Sequence, residues 1–82
     1  MTTPSEESYN FKEEETLYYY LTLMSLLQGI PIYQLELELT LQEELENYSA
    51  CSGILKAINE AEYKTYSELK LITEELDNEY NF

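Results

Sequence analysis

Apolar residues recur every three or four positions along most of this chain, but in one stretch they alternate, and that contrast constrains the fold more than any other feature. Over Lys12–Gln28, Leu17, Tyr20, Leu21, Met24, Leu27 and Gln28 follow helical spacing, and Tyr19, Leu23 and Leu26 form a second stripe. Glu13, Glu14 and Glu15 fall in the expected first turn, where the helix dipole favours anions. Gly29 and Pro31 are stop signals. A helix apolar on two sides is usually buried on two sides. One stripe is therefore assigned to the chain's own core and the other to a second copy. Tyr19, Leu23, Leu26 and Tyr33 form the expected homodimer surface.

The exception is Ile32–Leu39. Leu35, Leu37 and Leu39 alternate with Glu36 and Glu38, a strand pattern with one acidic face, although Leu and Glu prefer helix. The alternation predicts a short strand at 32–39, pairing across a dimer because no second segment alternates as well. Thr40-Leu41-Gln42-Glu43 has the capping-box pattern that would start a new helix at Leu41. From there Leu41, Leu45, Tyr48, Cys51, Leu55, Ile58 and Glu62 recur at helical spacing, with a possible break at Ser52-Gly53. Thr65-Tyr66-Ser67-Glu68 is a further capping box, and Tyr66, Leu69, Ile72, Leu76 and Tyr80 form the stripe of a last helix. The expected architecture is mostly α. A flexible acidic tail over 1–11 precedes one compact domain of three to four helices over 12–82.

Charge narrows the function. The 82 residues include 17 acids and 4 lysines but no arginine or histidine, for a net charge of −13. Direct binding to nucleic acid or anionic membrane needs a positive surface, so neither is expected. The 44% apolar content is enough for collapse and argues against disorder. The longest apolar run, about Leu17–Leu27, is too short and polar to span a bilayer. The opening residues lack a signal-peptide pattern and there is one cysteine, so the expected compartment is the cytoplasm.

The residues for most chemistry are missing. Without histidine the commonest general base and metal ligand is gone, and Cys51 has no base to activate it. The two glycines lie too far apart to cradle a phosphate, and one aspartate cannot furnish a calcium loop. Neither an enzyme nor a cofactor is expected. Cys51 reads as a small core residue, as do Tyr20, Tyr48 and Tyr66. Tyr18, Tyr19, Tyr33 and Tyr63 are left for a surface that binds something.

The acids come in clusters: Glu13–Glu15; Glu36 and Glu38; Glu43, Glu44 and Glu46; Glu60 and Glu62; and Glu74, Glu75, Asp77 and Glu79. All but the first are the candidate partner-binding residues. The last four span about 8–9 Å of helix axis, near one charge per ~2 Å. Duplex DNA carries one per ~1.7 Å. A basic groove shaped for phosphates would be attracted to such an array.

In size, in lacking Arg and His, and in the clusters Glu43-Glu44-Leu45-Glu46 and Glu74-Glu75-Leu76-Asp77, the chain resembles the small phage-encoded DNA-mimic inhibitors. The resemblance is one of charge character, with no aligned motif. It implies a host DNA-binding target: a nucleoid protein such as the HU family first, then a repair or restriction enzyme or a CRISPR nuclease. The competing expectation is a non-catalytic adaptor or structural subunit docking through leucine and tyrosine surfaces.

Overall fold

A computed structural model describes the backbone of residues 4–80 and the side chains of residues 11–80. It contains four helices: α1 (Pro4–Leu27), α2 (Ile32–Glu44), α3 (Tyr48–Ala61) and α4 (Tyr66–Tyr80). Among the described residues there is no strand. The expectation of a mostly α domain of three to four helices therefore holds. The expected tail over 1–11 falls partly on residues outside the described set, and the backbone from Pro4 onward belongs to α1.

α1 and α3 form the central pair, α2 lies on α3, and α4 lies on α1. One apolar cluster joins Tyr19 and Leu23 of α1, Ala57 of α3 and Leu69 of α4, flanked by Leu27, Ala61, Ile72 and Leu76. A second joins Leu35 of α2 to Ile54 and Ile58 of α3, flanked by Tyr18, Leu26 and Leu39. Leu23 and Ile54 are the largest side chains fully removed from solvent. Each contributes roughly 1.5–3 kcal/mol by that burial. At 24 residues α1 is about 36 Å long. It stretches the molecule to 42 × 30 × 18 Å, with a radius of gyration of 13.2 Å.

The dimer surface expected on α1 is corrected here. Tyr19 and Leu23 are buried, Leu23 completely, and Leu26 packs against the α2–α3 cluster. The stripe of Tyr19, Leu23 and Leu26 faces the chain's own helices, whereas Leu17 and Leu21 of the other stripe are exposed. Of the four residues only Tyr33 is open to solvent.

The strand expected at 32–39 is also corrected, since these residues are helical in α2. On a helix turning about 100° per residue, alternate residues point some 200° apart. A period of two therefore suits a strand with one apolar face or a helix with two. Leu35 is buried and Leu39 half-buried, whereas Leu37 points away at 65% exposure. With no partner strand to complete a ladder, helix propensity decides.

The expected helix 41–62 is two helices, broken at Leu45–Asn47 rather than at Gly53. Thr40 starts nothing, because it lies inside α2 with its hydroxyl donating to the Glu36 carbonyl. The end of α2 closes as a Schellman turn, with the Asn47 N–H on the Gln42 carbonyl at 2.9 Å and the Glu46 N–H on Glu43 at 3.0 Å. Gln28-Gly29-Ile30 closes α1 in the same way, through Ile30 N–H to Ser25 and Gly29 N–H to Leu26. Gly29 occupies the left-handed position there at φ 92°, but in the second turn that position belongs to Glu46 at φ 58°. A left-handed residue with a Cβ costs about 1–2 kcal/mol. Glu46→Gly is therefore expected to stabilise the chain by about 0.5–1 kcal/mol after its extra unfolded-state entropy is subtracted. That is a rise of a few degrees in melting temperature; an unchanged or lower melting point would show that the turn carries no strain.

On α3 the expected stripe is largely the wrong face. Tyr48 and Leu55 are exposed, and the buried positions are Ser49, Ala50, Gly53, Ile54, Ala57 and Ile58. Small residues let α3 approach α1 closely. The capping box ahead of α4 forms as expected: Thr65 N–H donates to Glu68 Oε1 at 2.8 Å, and Glu68 N–H donates to Thr65 Oγ1 at 3.2 Å. The Thr65 backbone N–H on the carboxylate, followed by the Thr65 hydroxyl, lowers the Glu68 pKa.

Candidate partner-binding surface

The acids divide into those bonded inside the fold and those facing solvent. Glu14 accepts from Ser49 Oγ at 2.5 Å, and Glu15 accepts from Ser52 Oγ. Both serines lie in the first half of α3, so these carboxylates lock α1 to the end of α3 whose dipole favours anions. Glu60, expected at the partner surface, is half-buried and accepts from the Tyr19 hydroxyl at 2.6 Å. Glu38 is exposed but accepts from Gln42 Nε2 at 2.7 Å, and Gln42 accepts from Asn47 Nδ2 at 3.1 Å. Asn47 is thereby held at the start of α3.

Glu36, Glu43, Glu44, Glu46, Glu62, Glu74, Glu75, Asp77 and Glu79 are exposed, as is Glu38. On α4, counting about 100° per residue from buried Leu69, Glu75 and Glu79 fall on one flank with Glu68. Glu74 and Asp77 fall on the other, beside Lys70. The four C-terminal acids therefore wind around α4 and do not form one line. On α2, Glu36 and Glu43 share a flank, and Glu44 lies towards the outer face. Two of the four lysines are drawn to rings: Lys56 Nζ lies 4.6 Å from the centre of the Tyr19 ring and Lys64 Nζ 5.5 Å from that of Tyr63.

The Tyr19 phenol is held protonated well above its usual range, first by burial and then by its bond to Glu60. In the unfolded chain it ionises near pH 10. Above that pH the unfolded state releases a proton that the folded state keeps, so stability falls by about 1.4 kcal/mol per pH unit. Below it, the contribution is fully present. Tyr19→Phe is expected to remove that slope in urea denaturation followed from about pH 9 to pH 11.5. Equal slopes for the two proteins would contradict the assignment.

Cys51 is half-buried, with Sγ 4.0 Å from the Leu39 carbonyl. Burial, then the nearby Glu43 carboxylate, pushes its thiol pKa up, which suits packing rather than attack. Among the described residues no group of three or more His, Cys, Asp or Glu could hold a metal ion. Among them, too, no helix is long and apolar enough to cross a membrane. The concave regions are open grooves. One lies between α1 and α4, lined by Tyr20, Met24, Leu27, Tyr66, Lys70 and Asp77 among others.

The sequence reading missed the outer face of α2, where Leu37 and Leu41 join Tyr33 in solvent. The signal was the alternation itself, read on a helix. Fold and surface together define a class: a small, acidic, helical protein whose described residues form four helices, with carboxylates on several sides and an apolar face of α2 left uncovered. No protein-family model, curated protein or solved structure matches the chain.

Proposed function

We propose that the chain is a non-catalytic acidic inhibitor that binds a basic DNA-binding protein and occupies its DNA-binding surface. A nucleoid protein of the HU type is the first target to test; repair, restriction and CRISPR enzymes follow. Such an encounter belongs in the cytoplasm. The observation that carries the reading is the exposure of ten of the eleven acids named for partner binding, in a chain with no arginine or histidine. Exposed carboxylates accept bidentate bonds from Arg and charge-assisted bonds from Lys. Because the four C-terminal acids lie on two flanks of α4, it is the number and exposure of the carboxylates, not a phosphate-like row, that supports the reading.

The test is competition. The full chain is added to an HU-type protein bound to fluorescent duplex DNA, and release is followed as salt increases. Release at low salt that fades steeply with added salt supports the reading. No release at low salt sinks it for this target. Release indifferent to salt points to the second reading, an adaptor docking through apolar contacts, which the uncovered face of α2 favours.

A further inference from the structure

α2 has two apolar faces, and the chain covers one. Leu35 and Leu39 turn inward, while Tyr33, Leu37 and Leu41 turn outward at 64, 65 and 47% exposure, with Leu45 continuing the line. These four recur every fourth residue, so the band drifts about 40° per step and runs some 18 Å along the helix. Scattered exposed leucines need no explanation, but apolar residues lined up along one helix face form the kind of patch that marks interaction sites.

The rim of the band says what covers it. Glu36 lines one edge and Glu38 the other, and Glu44 lies close to the band itself, whereas Glu43 sits on the flank towards α3, near Cys51. Ile32–Glu44 contains four acids and no lysine or arginine. A second copy laid on this face would bring Glu36, Glu38 and Glu44 against the same three residues, between two chains of charge −13 each. Like charges facing each other at an apolar rim oppose association. A cationic rim around an apolar centre meets no such penalty. Ridges of residues four apart on one helix seat into the matching grooves of another.

We propose that the outer face of α2 docks a basic amphipathic helix of the partner. Its apolar side packs on Tyr33, Leu37 and Leu41, and its Lys or Arg flanks pair with Glu36, Glu38 and Glu44. This rests on the reading of a cationic partner and names the element of that partner that binds.

Three synthetic peptides test it against the full-length chain by fluorescence anisotropy. One has leucines at i, i+4, i+7 and i+11 with lysine flanks. The second has the same composition with the stripe scrambled. The third keeps the stripe with glutamate flanks. The striped basic peptide is expected to bind at least about tenfold more tightly than the scrambled one, as burial of even one leucine implies. The acidic peptide is expected not to bind. L37S/L41S, at exposed positions that leave the core intact, should erase the preference while circular dichroism stays unchanged. Equal binding of both basic peptides overturns the docking face but leaves the cationic-partner reading standing. If neither basic peptide binds, both fail. Sedimentation showing a wild-type dimer that L37S/L41S dissociates would assign the face to a second copy and overturn the proposal.

Discussion

Gly53→Ala is expected to lower the melting temperature by about 10–20 °C, although alanine is the better helix former by about 1 kcal/mol. A Cβ at position 53 would sit inside contact distance of the Glu15 carbonyl oxygen and 2.7 Å from the Tyr19 backbone nitrogen. Both obstacles are backbone, so no side-chain rotation makes room. α1 and α3 would have to separate, and the separation would be felt at Leu23 and Ala57 and in the bonds from Ser49 to Glu14 and from Tyr19 to Glu60. Overpacking of a tight core costs about 1–3 kcal/mol and more where rigid groups collide. Set against the propensity gain, a net loss of about 2–3 kcal/mol is expected. Thermal and urea unfolding measure it directly. A melting point equal to or above that of the parent would mean that the two helices are not in contact at this position.

Reversing Glu43, Glu44, Glu74 and Glu75 to Lys is expected to abolish release of DNA from the target without loss of fold. All four are exposed, so folding takes little from them. Removing mutual repulsion among 17 acids should hold or raise the melting temperature. If each carboxylate stands in for a phosphate, four of them account for about a hundredfold change in affinity between roughly 50 and 200 mM salt. The reversed protein should therefore lose both its affinity and most of its salt dependence. Competition that survives the reversal removes the carboxylates from the mechanism. Replacing Glu14 and Glu15 is the useful contrast. Their bonds run to Ser49 and Ser52 inside the fold, so their loss should lower stability and leave binding in place.

The fold class was legible because α4 obeys local rules. Thr65 and Glu68 cap it, and Leu69, Ile72 and Leu76 meet the core at helical spacing. Gly29 likewise announced the end of α1 through the left-handed residue that its turn requires. Where the sequence misled, a local signal was absent or had two meanings. The α2–α3 break places Glu46 where a glycine would have advertised it, and Gly53 advertised a break that packing uses instead as a contact point. The alternating leucines could not be placed without knowing whether they lay on a strand or a helix. At the candidate surface, the preponderance of exposed carboxylates followed from charge alone. That Glu14, Glu15 and Glu60 are bound internally depends on which residues α3 sets opposite α1, and composition carries no trace of that.

α2 packs mainly on α3 and α4 mainly on α1, so the two lie on different sides of the central pair. Under the proposed function, a partner seated on the leucines of α2 would leave the acids of α4 accessible, which would give the chain a valency of two. Two weak grips on one large target act in concert when both sites are within reach, because the second forms at the high local concentration set by the first. A protein of 82 residues can in this way hold its target more tightly than by either grip alone.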